Sequence, residues 1–133
     1  MYFLDRRTIE RFAIPNSWVI YQKNKYYYCF GKLLNISRSA VCFEIDDKPL
    51  SVDSEIELTL IFPNEEQLNI KGIVIRETES MYLGFKYAVV QFMPYGLDEK
   101  RYNSMDTYQR IKELEIRFIN KITMLKLELV ENK

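Results

Sequence analysis

The sequence predicts a mainly β domain followed by a long carboxy-terminal helix. Three observations carry this. Between Phe12 and Phe92 apolar residues recur mostly at every second position, the period of a half-buried strand. Short polar or proline-marked tracts cut that region into six runs, which suits a small antiparallel barrel or sandwich. From Leu97 to Glu131 there is neither Gly nor Pro, and Glu, Lys, Arg, Leu and Ile predominate.

The first two runs, SWVIYQ (17–22) and YYYCFGKLLNI (26–36), are separated by KNK, short and polar enough for a hairpin connection. Of the consecutive tyrosines, Tyr27 points opposite to Tyr26 and Tyr28, so at least one is expected in the core. In AVCFEID (40–46), Val41, Phe43 and Ile45 alternate with Ala40, Cys42 and Glu44. DKPLSVDS then reads as a loop punctuated by Pro49. EIELTLIF (55–62) alternates Ile56, Leu58, Leu60 and Phe62 before PNEE, and LNIKGIVIRE (68–77) and MYLGFKYAVVQF (81–92) complete the set. Residues 1–96 thus form the β unit and 97–133 the helical element. In the latter, Tyr108, Ile111, Phe118, Ile122, Leu125 and Leu129 share one helical stripe, with Asp98 as the expected amino-terminal cap. Leu114 and Ile119 widen the stripe, whereas Glu115 puts a carboxylate on it. The first turns suffice to close one end of the β unit. The remaining apolar length is expected to pair with a second copy, making a homo-oligomer.

With 133 residues and 16.0 kDa the chain is one domain with an appended element. Lys+Arg and Asp+Glu both number 19, so no bulk positive field attracts a nucleic-acid polymer, and any anion site must be local. No apolar run approaches the ~18 residues of a membrane span. The start, MYFLDRRTIERF, lacks the pattern of a secretion signal, so a cytoplasmic location is expected. There is no histidine, which removes the commonest general base and the Ser-His and Cys-His nucleophile pairs. Cys29 and Cys42 alone make a zinc site improbable and read as small apolar residues in strands. No enzyme motif is present.

Two short motifs remain. In DRRTIERF (5–12), Arg7 and Arg11 are four apart, on one side of the backbone whether extended or helical, with Arg6 beside them. Forked, permanent cations in that arrangement suit phosphate or carboxylate. The plainer reading is a solvated patch, or pairs with Asp5 and Glu10. In NISRSA (35–40), Asn35 and Ser37 leave an extended backbone on the side opposite Ile36 and offer mixed donors and acceptors. Ordinary turn chemistry is the alternative use of such residues.

In order and spacing the two motifs resemble the RxxxR and [D/N]xSxxG signatures of the PilZ domain family, over roughly residues 5–95. The resemblance implies a six-stranded antiparallel β-barrel whose ligand is cyclic di-GMP, with no cofactor and no catalysis. It further implies that Arg7 and Arg11, with Arg6 adjacent, form an arm that grips phosphates and guanine faces. Asn35 and Ser37 would bind from the barrel surface, and an unidentified protein partner would receive the signal. Ala40 departs from the family's glycine. A left-handed backbone there would cost about 1–2 kcal/mol, and a methyl group in the ligand's path would alter its pose. The alternative is a degenerate adaptor that binds no nucleotide and acts by protein contact.

Overall fold

In the computed structural model the described residues are 11–24, 27–46, 50–80, 85–96 and 100–131, with helix side chains described through Ile119. Six strands, β1 (Trp18–Asn24), β2 (Tyr27–Ile36), β3 (Ala40–Ile45), β4 (Glu55–Ile61), β5 (Gln67–Ser80) and β6 (Phe85–Phe92), close into an antiparallel barrel. Their order around it is β1-β2-β3-β6-β5-β4, and β1 pairing with β4 from Trp18↔Ile61 to Tyr21↔Leu58 completes the closure. A closed barrel leaves no sheet edge to template aggregation.

Alternation supplies the filling. Val19 and Tyr21, Val41, Phe43 and Ile45, Ile56, Leu58 and Leu60, and Ala88, Val90 and Phe92 all join one buried cluster. Fully burying each larger side chain contributes about 1.5–3 kcal/mol. The barrel is tight enough that a Cβ on Gly31 would overlap the Glu44 carbonyl oxygen. Tyr27 and Tyr28, by contrast, are both largely exposed, so neither is the core member expected in the tyrosine run; the remaining one, Tyr26, lies outside the described residues.

Three β-bulges interrupt the ladders, at Gln22/Asn24 in β1, Leu33/Asn35 in β2 and Val74/Arg76 in β5. A bulge inserts one residue and reverses which side chains face out beyond it. In β2, Leu33 faces in and Leu34 is the insertion, so Asn35 pairs with Cys42 on the outside instead of falling inward.

The single long helix, α1 (Met105–Glu131), starts eight residues later than the change in composition. Its cap is Ser104, whose hydroxyl accepts from the Thr107 backbone N–H at 3.1 Å. Asp98, the expected cap, lies outside the described residues. Asn103, just before the cap, is 5% exposed and bonds β5 and the β6 exit. Its Oδ1 accepts from the Lys71 N–H at 2.8 Å, and its Nδ2 donates to the carbonyls of Lys71 and Met93, each at 2.9 Å. Ile111 and Leu114 enter the barrel's core cluster, with Phe118 and Ile119 packed against it. The first turns of α1 therefore close one end of the barrel. The side chains of Ile122, Leu125 and Leu129 lie outside the description.

Candidate functional site

The residues 35–40 connect β2 to β3 at the barrel end where α1 docks. Ser37 is buried, and its hydroxyl accepts from the backbone N–H groups of Ser39 at 3.1 Å and Ala40 at 3.2 Å. The Ser39 hydroxyl lies 3.1 Å away, and the Ser37 N–H donates to the Ala40 carbonyl at 2.8 Å. Ser37 thus shapes the turn from within, the plainer of its two sequence readings. Ala40 begins β3 in extended backbone, paired with Gln91. The described non-glycine residues with positive φ are Asn16, Asp53 and Asn64. Alanine there carries no left-handed strain, so its remaining consequence is the methyl group that it presents.

The arginine segment meets this loop through one pair of hydrogen bonds. The Phe12 N–H donates to the Ile36 carbonyl and the Ile36 N–H to the Phe12 carbonyl, both at 2.9 Å. The bridge is antiparallel, so Arg11 stands across from Ser37 and Ala13 across from Asn35. Phe12 is 4% exposed in the core cluster, which anchors the bridge, while Arg11 is exposed. Arg6 and Arg7 lie outside the described residues. The structure thus brings the backbone of Arg11 alongside Asn35 and the Ser37 turn.

Asn35 is half-buried on the outer surface, and next to it on β3 lies Cys42. Burial pushes the Cys42 thiol above its ordinary pKa, while the guanidinium groups of Arg76 and Arg11 pull it back. Two cations therefore act on this face from two different strands or segments. Cys42 and Cys29 are both free thiols.

A second set of contacts ties the same loop to α1. The Arg38 Nη1 donates to the Tyr108 hydroxyl at 3.2 Å, and its Nε lies 3.0 Å from Glu115 Oε2 as a charge contact rather than an aligned hydrogen bond. The Tyr95 hydroxyl donates to the Arg38 carbonyl at 2.7 Å and its ring packs edge-on against Tyr108. The Tyr108 bond, chiefly, raises the Arg38 pKa further, and burial raises that of Tyr95, so both keep their protons at neutral pH. Glu115, which interrupts the apolar stripe of α1, is explained by this partner. The sequence held the signal, a carboxylate on an apolar stripe, but not the identity of the cation.

Two grooves lie elsewhere. One of about 430 Å³ runs between Gln22, Tyr28, Thr59, Asn69 and the segment 102–107, and one of about 540 Å³ adjoins it at Glu57, Lys71 and Tyr102. Neither includes Arg11, Asn35 or Ser37. Among the described residues no group of His, Cys, Asp or Glu is arranged to hold a metal ion, and no helix is long and apolar enough to cross a membrane.

The family profile of the PilZ domain matches residues 5–102. Solved structures with a similar fold include YcgR of Escherichia coli in complex with c-di-GMP, with a TM-score of 0.71 and 12% identity over 97% of this chain and 52% of that one. The K. pneumonia MrkH–c-di-GMP complex has a TM-score of 0.66 and 16% identity over 98% and 57%. The Bacillus subtilis inhibitor of motility (MotI/DgrA) has a TM-score of 0.67 and 15% identity over 86% and 51%. The chain spans about half the length of these three proteins. Curated protein sequences give no significant match.

Proposed function

Because the chain belongs to the PilZ domain family, we propose that it is a non-catalytic receptor for cyclic di-GMP that relays the nucleotide's level to a protein partner. The observation that carries this reading is the Phe12–Ile36 bridge, which fixes the second arginine of RxxxR beside the NxSxxA loop. Similar folds that hold c-di-GMP support it.

Arg7 and Arg11, with Arg6 adjacent, supply guanidinium planes that bridge phosphate oxygens and stack on purines, which an ammonium cannot do. Asn35 meets the ligand from the barrel surface, and Ser37 holds the loop on which it lies. Ordering the arm costs about 1–2 kcal/mol per residue fixed, so nucleotide binding is coupled to a change in the arm's conformation.

The relay runs from this loop into α1. Arg38 sits between Ser37 and Ser39, and its side chain contacts Tyr108 and Glu115, so a shift of the loop must move or break contacts with the helix. The distal half of α1 serves as the oligomerisation or partner-binding element in the cytoplasm. If it self-associates, light scattering reports a mass above 16.0 kDa, and truncation after Ile119, which spares Ile111 and Leu114 in the core, returns the monomer.

The direct test is calorimetric titration of the full chain with cyclic di-GMP. Micromolar or tighter binding that weakens with rising salt supports charge-assisted recognition. Silence at millimolar nucleotide returns the protein to the adaptor reading.

A further inference from the structure

We infer that Arg76 reads the edge of a guanine at the end of the site remote from Asn35. This inference rests on the receptor reading above. Its origin is cross-strand register: Asn35 of β2 pairs with Cys42 of β3, Cys42 with Val89 of β6, and Val89 with Arg76 of β5. One row on the outer surface thus runs from an amide to a guanidinium across three strand spacings, about 14 Å at ~4.8 Å each.

Both ends of that row owe their outward aim to a bulge. Leu34 is the insertion in β2 and Ile75 the insertion in β5. Without them, Asn35 and Arg76 would follow the inward-facing Leu33 and Val74 by two residues and point into the core. Two irregularities, on the two strands that flank the β3–β6 pair, therefore turn two polar groups onto the same line. Bulges of this kind re-aim side chains at functional surfaces.

Between the two ends the row is apolar. Cys42 and Val89 lie outside the barrel's core cluster, on the outer side of their strands, and are themselves buried, 8% and 2% exposed, so the polar groups of the row are its two ends. The chain's arginines also divide by commitment. Arg38 is bound to Tyr108 and Glu115, and Arg110 to Glu66 at 2.7 Å, whereas Arg76 is exposed and has no ion-pair partner among the described residues. Its electrostatic pull on Cys42, shared with Arg11, agrees with a guanidinium lying close to that residue. A guanidinium fork matches the paired O6 and N7 acceptors of guanine, whereas adenine presents an amino donor at the corresponding position. At the far end of the row Arg76 would select the base, while the arginine arm holds phosphate.

The test is competition calorimetry on the full chain with cyclic di-GMP and cyclic di-AMP, for the parent, Arg76→Ala and Arg76→Lys. We expect both variants to bind cyclic di-GMP about tenfold to a hundredfold more weakly, with the preference over cyclic di-AMP narrowed by a similar factor. Lysine keeps the charge but not the fork, so it should not restore the preference. Thermal unfolding midpoints should stay with the parent, since the residue is exposed. A parent without preference, or variants whose preference for guanine is unchanged, overturns the role of Arg76 while leaving the receptor reading intact. A parent that binds no cyclic di-GMP overturns both.

Discussion

The two sides of the β2–β3 loop differ in how much of their bonding capacity is already used. On one side, Arg38 spends its guanidinium on Tyr108 and Glu115, and its carbonyl accepts from Tyr95. On the other, the row from Asn35 to Arg76 and the neighbouring Arg11 place polar groups to either side of two buried apolar residues, and neither Arg11 nor Arg76 has an ion pair among the described residues. A satisfied guanidinium holds structure and has little left for a ligand. An open one adds little to the fold, yet offers five donors to whatever anion or base edge arrives. On the proposed reading, the contrast gives anchoring to the helix side and recognition to the strand side, although arginines supply both.

Removing Arg11 tests the open side and should have the largest effect. Arg11→Ala deletes a charge-assisted contact set, and hydrogen bonds to charged groups contribute ~1.5–3 kcal/mol each. Calorimetry should show affinity for cyclic di-GMP falling by about a hundredfold, ~2.7 kcal/mol. The unfolding midpoint should not move, because the side chain is exposed. Lost affinity accompanied by lost stability would mean that Arg11 belongs with the anchoring groups, and the contrast would fail.

Asn103 tests the closed side. Asn103→Ala strands the Lys71 N–H and the Met93 carbonyl at a residue 5% exposed, and leaves the Lys71 carbonyl with the Met93 N–H. Leaving such groups unmade costs about 2–3 kcal/mol, a drop of roughly 6–12 °C in the unfolding midpoint. Nucleotide affinity, measured below that midpoint, should be unchanged. Retained stability would mean that the segment ahead of α1 is held by the Ile111 and Leu114 contacts alone.

The alternation that built the barrel was readable because one face of each strand is buried, and burial is what fixes register. The bulges were not. Leu34 and Ile75 are apolar residues in apolar runs, and nothing local marks them as insertions; only the partner strands define the register that they break. Arg76 was unreadable for the same reason, since its relation to Asn35 passes through three strand pairings among residues distant in sequence. Arg11 and Asn35 could be singled out because their motifs are local, and the bridge at Phe12 sets them near each other. Ser37 was legible as a position, but the choice between ligand contact and turn chemistry needed the geometry of Ser39 and Ala40. The helix start shows a further limit: composition changes at Leu97, whereas the cap at Ser104 is selected by Asn103 reaching back to β5.

Arg38→Ala addresses the link between the two sides. Both members of the pair are partly exposed, 27% and 18%, so the stability lost should be only about 1 kcal/mol. The informative readout is hydrogen exchange in the first turns of α1. In the parent, cyclic di-GMP should change exchange there; in Arg38→Ala the same nucleotide should still bind, with the helix no longer responding. Arg38→Lys should not restore the response, because an ammonium cannot reproduce the fork that reaches both Tyr108 and Glu115. Equal helix responses in parent and variant would sever the relay from this residue.

The smallest effect is expected on the pH axis, where the two sides should be indistinguishable until alkaline conditions. The chain has no histidine, and guanidinium groups do not titrate in any usable range, so stability should be flat from about pH 6 to 8, below the range where the buried Cys42 thiol begins to matter. Above that, the groups to lose their protons include Tyr21, whose burial pushes its pKa up to about 12, and Tyr95, raised by the same cause. A phenol whose folded pKa exceeds its unfolded value of ~10 contributes stability that is complete below pH 10 and is lost as pH rises through the folded value. Urea unfolding at pH 6, 8 and 11 should therefore give two equal midpoints and a lower third. Because Tyr95 donates to the Arg38 carbonyl, Tyr95→Phe should shift all three midpoints down and shrink the alkaline step. A step of undiminished size in that variant would assign the alkaline loss to Tyr21 and Cys42 in the barrel and leave the helix side without a titrating group.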